Sequence, residues 1–471
     1  MPFSGQGMNL ISELDPAVNQ AATSKPTTLY WCSEETRTLS LDERSALLMQ
    51  YQSVRQQTER IVQPLSPEDL QLQSMPDASP GKWHLAHTSW FFETFILQPH
   101  CPAYDGFHPE FHHLFNSYYN ALGTPFSRPQ RGLLSRPSLD QVFAYRQHVD
   151  SEIARWLIEE EVDGDLANLL VLGLNHEQQH QELVLTDIKH ALSINPIFPA
   201  YKQESDESHT ERDSLAGLSW LSVPEDTYTL GGDGKAFAFD NEGPPHQRYQ
   251  PAFRIASRLV TNGEYLAFMK AGGYQQPRLW LSDGWAHVNQ SERRAPLYWR
   301  EVEGTWYEFT LSGLQPLDLD APVCHVNFYE ADAFATWAGF RLPTEFEWEI
   351  AAWLHCQPDA AERGNMLEAG HFHPQPELDN FDAQTSAEGQ GAQLLGNVWQ
   401  WTSSAYQPYP GFKASADAVG EYNGKFMCNQ MVLRGGSCVT PRSHIRISYR
   451  NFFYPHQVWQ FTGIRLAGDD L

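Results

Sequence analysis

Apolar residues recur at three- and four-residue steps in four stretches of the N-terminal half of the chain. This spacing places them on one face of an α-helix. Four amphipathic helices of this length, joined in sequence, favour a helical bundle. The predicted helices run from about Ser40 to Leu65, over Gly81–Glu93, from about Leu139 to Glu160 and from about Asp165 to Ser193.

The pattern changes in the C-terminal half, where Gly, Pro, Trp and short β-prone runs replace the helical repeat. Such a sequence favours an irregular α+β domain. One helix is predicted over residues 328–338. A second begins at Thr344, because Thr344 and Glu347 form a Thr-x-x-Glu capping box. The charged, non-periodic stretch 202–214 between the halves predicts a linker.

The length of 471 residues is sufficient for two or three domains that each bury a core. We therefore predict a multidomain protein, an all-α four-helix bundle followed by an irregular α+β domain. The predicted bounds are 1–38 for a partly disordered lead-in, 39–200 for the bundle, 201–215 for the linker and 216–471 for the second domain.

The charge balance narrows the range of partners. There are 58 acidic and 32 basic side chains, a formal net charge of -26, which disfavours binding to nucleic acid or anionic membranes. Six scattered cysteines without a Cys-x-x-Cys pair indicate a reduced, cytoplasmic protein. No signal-peptide pattern and no apolar run of membrane-spanning length is visible. We expect small-molecule partners.

His176 and His180 stand four residues apart on the fourth predicted helix. At this spacing two imidazoles project from one face and can bind a single metal ion. The string His-Glu-x-x-His is also the zinc-metalloprotease pattern, in which Glu177 would be the general base. The extended motif of the metzincin proteases does not follow it. Two histidines on an ordinary polar helix surface are the remaining alternative.

A second pair, His84 and His87, lies on the second predicted helix. One of the two could supply a third nitrogen across the bundle, since bundles build metal sites from facing helices. Three imidazoles with open coordination positions suit Fe(II) or catalytic zinc. The spacing alone does not choose between these metals.

Several motifs of the C-terminal half resemble the formylglycine-generating-enzyme/sulfatase-modifying-factor domain, a variant of the C-type-lectin-like fold. They are Val260–Tyr265, Trp337–Gly339, Arg341–Glu345, Gly396–Trp401 and Arg434–Ser437. The N-terminal half resembles a DinB-like bundle that bears a His-x-x-x-His helix.

The combination of the two halves resembles the ergothioneine-biosynthesis sulfoxide synthases (EgtB-type enzymes). This resemblance extends over almost the whole chain. The motifs that carry it are Trp83–His87, Phe115–Tyr119, Arg131–Pro137, Asp240–Glu242, Tyr449–Phe453 and Gly463–Ala467.

The resemblance implies that non-haem Fe(II) is bound by His87, His176 and His180, with His84 as a neighbour rather than a ligand. It also implies a reaction in which a thiol is joined to the imidazole carbon of hercynine (trimethylhistidine) with O2 and is oxidised to a sulfoxide. Three imidazoles would leave positions for thiolate, substrate ring and O2.

The resemblance implies substrate contacts as well. Gln179 and Asn451 are candidates for binding the hercynine carboxylate, although a surface glutamine would look the same. Arg128 and Arg131 lie in the long connection 98–137, which is expected to reach the active site. They could bind the carboxylate of the thiol substrate.

A tyrosine near the iron is expected to donate a proton or an electron, steering the reaction towards sulfoxide rather than simple thiol oxidation. The candidates are Tyr118 and Tyr119, as in one branch of the family, or Tyr406 and Tyr409. Buried structural tyrosines would give the same sequence pattern.

The thiol donor is inferred from one position. By the resemblance, relatives that accept γ-glutamylcysteine carry an acidic residue soon after the pair that corresponds to Arg450-Asn451, where this chain has Phe453. Cysteine is therefore the favoured donor, with γ-glutamylcysteine as the alternative. A related ovothiol- or selenoneine-type oxygenase and a non-catalytic lectin-like binding protein are the competing functions.

Overall fold

The computed structural model describes residue 32 and residues 36–202, 217–357, 359–377, 394–414 and 418–469. Most of the predicted lead-in and linker lies outside these described residues. Within them, no helix has both the length and the apolar character needed to cross a bilayer.

The N-terminal half is a helical bundle, and its four long helices confirm the predicted ones. Ser40 and Ser138 begin the first and third of them with capping boxes, in which the serine side chain accepts a backbone N–H of the first turn. The helices of this half are α1 (Leu41–Val62), α2 (Gly81–Phe92), α3 (Gln98–His100), α4 (Phe111–Leu114), α5 (Leu139–Glu159) and α6 (Gly164–Ile194).

A close crossing of α2 and α6 fixes the two helices that carry the histidines. Gly173 of α6 lies against the rings of Phe91 and Phe92, so that a Cβ atom there would be 2.5 Å from Phe92 Cε1. After Phe92, α2 continues into the π-helical turn Glu93–Leu97. The side-chain-free surface of Gly173 therefore determines how near α2 approaches α6.

The C-terminal half is the predicted irregular α+β domain. Its sheets are small and mostly antiparallel, in the strand orders β1-β4-β12, β10-β9-β8-β11, β2-β3 and β5-β6-β7. The strands are β1 (Trp220–Val223), β2 (Asp226–Leu230), β3 (His246–Gln250), β4 (Phe253–Ala256), β5 (Trp299–Val302), β6 (Thr305–Thr310), β7 (Gly313–Pro316), β8 (Trp399–Ala405), β9 (Met431–Arg434), β10 (Asn451–Phe453), β11 (Thr462–Gly463) and β12 (Ala467–Asp469).

Helices pack against these sheets. The predicted capping box is confirmed, because Thr344 accepts the Glu347 N–H and Glu347 accepts the Thr344 N–H at the start of a helix. The helices are α7 (Asn262–Lys270), α8 (Ser282–Ser291), α9 (Phe328–Trp337), α10 (Glu345–His355) and α11 (Ala360–Arg363).

Helix α6 also forms part of the contact between the two halves. The half-buried Glu182 carboxylate accepts hydrogen bonds from Trp399 Nε1 at 2.7 Å, Ser437 Oγ at 2.8 Å and Thr440 Oγ1 at 2.7 Å. All three donors belong to the C-terminal domain. The helix that carries His176 and His180 is thereby held against that domain.

Candidate metal centre

Three histidines from two helices meet in the interior of the bundle. His87 Nε2 of α2 lies 3.2 Å from His176 Nε2 of α6, and His180 Nε2 lies 3.1 Å from the same atom. Among the described residues, these three form a buried group whose ligand atoms lie within 4.8 Å of one another. The crossing of α2 and α6 thus unites residues that are far apart in the sequence.

The three imidazoles are held in their neutral form. Burial lowers the pKa of all three rings, to about 3 for His176. His87 Nδ1 lies 2.6 Å from the Phe115 carbonyl oxygen, which can only accept a hydrogen bond. His87 therefore carries its proton on Nδ1 and presents a bare Nε2 to the other two rings.

This arrangement fits a metal ion. Imidazole binds metals through an unprotonated nitrogen of the neutral ring. At a metal–nitrogen distance of about 2.1 Å, two nitrogens at right angles are separated by about 3 Å. The observed separations of 3.1 and 3.2 Å are close to that value. No carboxylate or thiol of the described residues belongs to the group.

Glu177 does not face the metal centre, which removes the metalloprotease interpretation. Its carboxylate accepts hydrogen bonds from Arg55 Nη1 and Arg146 Nη2, both at 2.9 Å, and from Thr58. Burial alone would raise the pKa of Glu177, but the two guanidinium groups lower it to about 2. A carboxylate held in this way by α1 and α5, on a neighbouring face of α6, is not available as a base at the metal centre.

Arg131 lies one aromatic ring away from His87. Its guanidinium carbon is 3.4 Å from the centre of the Trp83 ring, and Trp83 stacks on His87 at 4.5 Å. Arg131 is only 2% exposed, and its hydrogen-bond partners are the hydroxyl groups of Ser79 and Ser117. No described carboxylate pairs with it, so this buried cation can receive an anion.

The charge of Arg128 acts on the same region. Burial is the largest cause that lowers the pKa of Arg131, and the positive charge of Arg128 lowers it further. Burial also lowers the pKa of His84, and the charge of Arg128 adds to that effect. The two arginines belong to a single 3-10 turn, Arg128–Leu133. The structure therefore places Arg131 one ring from His87, whereas Arg128 is exposed and acts on this region through its charge.

Gln179 connects the histidine helix with two tyrosines of the C-terminal domain. Its Oε1 accepts a hydrogen bond from the Tyr422 hydroxyl, and its Nε2 donates to Tyr449 Oη at 2.6 Å. The Tyr422 ring lies 5.7 Å from the His176 ring. Burial raises the pKa of Tyr422 well above its ordinary value, so the hydroxyl keeps its proton.

The sequence did not single out Tyr422. It lies between two short 3-10 turns, Ala418–Glu421 and Gly424–Phe426, where no periodic pattern marks it. The residues around it, Glu421-Tyr422-Asn423, form no motif whose spacing indicates a role in catalysis.

Tyr118 and Tyr119 lie near the histidine group, but further from it than Tyr422. Their rings stack at 4.7 Å, and Tyr118 lies 6.5 Å from Tyr422. Tyr119 contacts Trp90 at 5.6 Å, and Trp90 stacks on His87 at 5.5 Å. One ring therefore separates each tyrosine from a histidine of the group: Tyr422 for Tyr118 and Trp90 for Tyr119.

Tyr409 and Tyr406 have their contacts elsewhere. The Tyr409 hydroxyl donates to Glu345 and accepts from Arg434, within a buried ion network of the C-terminal domain. Tyr406 stacks on Phe452 at 4.1 Å and accepts a hydrogen bond from Asn241. None of the described contacts of these two tyrosines reaches the three histidines.

Asn451 and Phe453 occupy alternate positions of β10, on the opposite face from Phe452. Phe452 lies 6.0 Å from Phe426, whose ring contacts Tyr118 at 5.3 Å. The ring of Phe426 thus connects β10 with Tyr118. The described contacts do not bring either residue against the histidines.

Comparisons with known proteins assign the chain to a family. The description "DinB superfamily" matches residues 50–184, and "Sulfatase-modifying factor enzyme 1-like domain" matches residues 211–470. The hercynine oxygenase of Mycolicibacterium smegmatis is 33% identical over 445 residues, which cover 90% of this chain and 99% of that protein. The chain belongs to the hercynine oxygenase family. Its members include the hercynine oxygenase of Mycobacterium tuberculosis, 34% identical over 84% of this chain and 92% of that protein.

The C-terminal half has further relatives outside the hercynine oxygenases. The formylglycine-generating enzyme of Mus musculus is 26% identical over 55% of this chain and 77% of that protein. Membership of the hercynine oxygenase family makes the chain an enzyme of the oxidoreductase class. This excludes the non-catalytic lectin-like alternative. The predicted family and the predicted fold class are both confirmed.

Proposed function

We propose that this chain is a non-haem Fe(II)-dependent sulfoxide synthase that joins a thiol to the imidazole carbon of hercynine in ergothioneine biosynthesis. The convergence of three neutral imidazole nitrogens, in a member of the hercynine oxygenase family, carries the proposal. In the overall reaction the hercynine C–H and the thiol S–H hydrogens leave in one molecule of water. The second oxygen atom of O2 remains on sulfur.

The proposed ligands are His87, His176 and His180. When bound there, Fe(II) would supply the activation of O2, with positions left for the thiolate and the hercynine ring. Zinc has no redox chemistry of its own, whereas an oxygenase reaction requires a metal that can activate O2. Membership of the hercynine oxygenase family therefore supports Fe(II) over zinc at these three nitrogens.

Hercynine would be bound by the Gln179 amide and the rings around it. Its carboxylate requires a hydrogen-bond donor, which Gln179 Nε2 and Asn451 can each supply. Its trimethylammonium group favours aromatic faces. The rings beside Gln179 are those of its hydrogen-bond partners Tyr422 and Tyr449, with Phe239 packed against them at 5.3 and 5.7 Å.

The thiol substrate would be bound through its carboxylate. Arg131 is a buried cation without a described carboxylate partner, and Arg128 adds a second positive charge beside it. A carboxylate between the two would satisfy both charges. The Trp83 ring, which separates Arg131 from His87, holds the guanidinium at a fixed distance from the metal ligands.

A tyrosine hydroxyl would donate a proton during the reaction and regain it from the hydrogens that hercynine and the thiol release. We favour Tyr422, because its ring contacts His176 and its hydroxyl is fixed by Gln179. Tyr118 and Tyr119 are the other candidates, since Tyr118 lies next to Tyr422 and its ring stacks on that of Tyr119. Burial raises the pKa of Tyr118 as well, so each hydroxyl is available as a donor at neutral pH.

Cysteine is the favoured donor and γ-glutamylcysteine the alternative. The larger thiol has a second ammonium group, which requires an acidic partner. Position 453 is a half-buried phenylalanine of β10. We further propose that the enzyme acts in the cytoplasm, because its six scattered cysteines without a Cys-x-x-Cys pair suit a reducing compartment. Its partners would be small molecules alone, because the net charge of -26 opposes nucleic acid and anionic membranes.

The function is tested by reconstitution without oxygen. We expect the protein to bind one Fe(II) and, after addition of hercynine, cysteine and O2, to form hercynylcysteine sulfoxide, which mass spectrometry identifies. Parallel reactions with γ-glutamylcysteine and with a selenium donor distinguish the alternative donors. Absence of a hercynine–sulfur product with either thiol would contradict the proposal.

A ligand variant completes the test. His176→Ala should abolish the product while circular dichroism shows an unchanged helix content. His148→Ala, on the surface side of α5, is the matched control and should retain activity. Product formation by His176→Ala would mean that the ligand assignment is wrong.

A further inference from the structure

His84 connects a proposed metal ligand with a buried carboxylate. Its Nδ1 lies 2.7 Å from His180 Nδ1, and its Nε2 lies 3.2 Å from Asp187 Oδ2. His180 and Asp187 are both on α6, about two turns apart, whereas His84 comes from α2. All three side chains are buried. They form a chain of hydrogen bonds that ends at the metal centre.

The chemistry of the groups fixes the direction of these hydrogen bonds. The Asp187 carboxylate can only accept, and its Oδ2 also accepts the Ser79 N–H at 2.8 Å. His84 Nε2 must therefore donate to Asp187. In a neutral ring His84 Nδ1 is then the acceptor, so His180 Nδ1 must donate. His180 consequently carries its proton on Nδ1 and leaves Nε2 bare.

We propose that Asp187 and His84 are positioning residues that fix the Nδ1–H tautomer of His180, so that its Nε2 is available to the metal. The proposal rests on the proposed role of His180 as a ligand. Partners beyond the ligands commonly set the ring orientation and basicity of a metal-bound histidine. Here the partner of the ligand is a second imidazole, and the carboxylate lies one step further away.

The three proposed ligand rings differ in the hydrogen-bond partner of their Nδ1 atom. His87 donates directly to the Phe115 carbonyl oxygen, and His176 Nδ1 has no partner among the described residues. Only His180 is oriented through side chains alone. Its proton position therefore depends on two residues that can be changed without touching a ligand.

Ser79 extends the chain towards the proposed thiol site. Its N–H holds Asp187, while its hydroxyl accepts a hydrogen bond from Arg131 Nη1 at 2.9 Å. Ser79→Ala removes the Arg131 contact but keeps the N–H that holds Asp187. It therefore separates an effect on the metal ligand from an effect on substrate binding.

The test measures Co(II) binding to the full chain without oxygen, by calorimetry and by the visible absorption of the ion. Asp187→Asn and His84→Ala should each weaken Co(II) affinity by about 10- to 100-fold and change the Co(II) spectrum. Asp187→Glu, which keeps the carboxylate, and added imidazole with His84→Ala should each restore part of the affinity. Ser79→Ala and His190→Ala should leave Co(II) affinity unchanged.

Nitrogen-15 NMR of the metal-free wild type is a second measurement, which needs neither a variant nor a metal. It should place the His180 proton on Nδ1. A proton on Nε2, or variants of His84 and Asp187 that bind Co(II) within about twofold of wild type with an unchanged spectrum, would overturn the proposal. If the wild type failed to bind Co(II), the metal centre itself would be refuted. The NMR measurement would still show which nitrogen of His180 carries the proton.

Discussion

At the residue scale, the direction of the Glu177 side chain decides which chemistry the string His-Glu-x-x-His can support. Glu177 is turned away from the histidines and is neutralised by Arg55 and Arg146. The pair of arginines requires a buried anion in return, since an unpaired buried charge is costly. The glutamate therefore stabilises the bundle, and the proposed chemistry within the string belongs to His176, Gln179 and His180.

Tyr422→Phe tests the proposed proton donor. Loss of the hydroxyl should lower sulfoxide formation by at least about tenfold and increase the share of thiol oxidised without coupling, because general acids typically contribute 10²–10⁴-fold. Mass spectrometry of both products gives the ratio. Tyr201→Phe, another buried tyrosine whose hydroxyl donates to the Ile61 carbonyl oxygen, is the control and should keep the wild-type ratio. An unchanged ratio in Tyr422→Phe would favour Tyr118 or Tyr119.

Phe453→Asp tests the inferred donor preference. A carboxylate at this position should attract the ammonium group of γ-glutamylcysteine and raise its kcat/KM relative to cysteine by about tenfold, equivalent to roughly 1.4 kcal/mol. Competition between the two thiols measures the change. Tyr454→Asp adds the same charge at the next, exposed position and should not alter the preference. A wild type that already prefers γ-glutamylcysteine would disprove the inference.

The residues that the sequence could predict are those with a local pattern. His176 and His180 are recognisable from their spacing, and the resemblance added His87. Tyr422 and Gln179 are 243 positions apart, and their hydrogen bond depends on how two domains pack. The same holds for Glu177, whose arginine partners lie on α1 and α5. No local pattern contains such information.

At the element scale, the four long helices follow from the apolar repeat, and their observed ends differ from the predicted ones by a few residues. The π-helical turn Glu93–Leu97 was not predicted, because its apolar residues continue the pattern of α2. The sheets of the C-terminal half could be predicted as a class only. Their strand orders bring together segments from distant parts of the sequence, as β1, β4 and β12 do.

Gly173→Ala tests the helix crossing that unites the histidines. In an open helix this change stabilises by about 1 kcal/mol. Here the new Cβ would meet the rings of Phe91 and Phe92 at 3.0 and 2.5 Å, so we expect a net loss of about 1–3 kcal/mol in the free energy of unfolding. Metal affinity should fall as well, because α2 carries His87. Urea unfolding and Co(II) titration measure the two effects, and a stabilised variant with unchanged Co(II) affinity would contradict this description of the crossing.

Glu182→Gln tests the contact between α6 and the C-terminal domain. The amide can accept fewer of the hydrogen bonds from Trp399, Ser437 and Thr440, and we expect a loss of about 1–3 kcal/mol in unfolding free energy. Glu152→Gln, which removes a surface ion pair with Arg155 on α5, is the control and should cost less than about 1 kcal/mol. Equal losses in the two variants would mean that the Glu182 contact contributes little.

At the scale of the whole molecule, neither half contains the complete site. The bundle supplies the histidines and Arg131, while the C-terminal domain supplies Tyr422 and Tyr449 through their bonds to Gln179. Helix α6 belongs to both environments. A change at the metal centre should therefore be felt in the stability of the entire chain.

Metal-linked unfolding tests this coupling. A ligand that binds only the folded state at 100 times its Kd stabilises it by about 2.7 kcal/mol. Anaerobic Fe(II) or Co(II) at that excess should raise the unfolding free energy by this amount, and a chelator should reverse the gain. Far-UV circular dichroism, to which the long helices of the bundle contribute most, and a label at the exposed Cys428 of the C-terminal domain should report the same shifted midpoint. His176→Ala should show no metal-dependent shift. If the metal moved the circular dichroism transition alone, the two halves would be independent folding units, and the stability of the C-terminal domain would not depend on the metal.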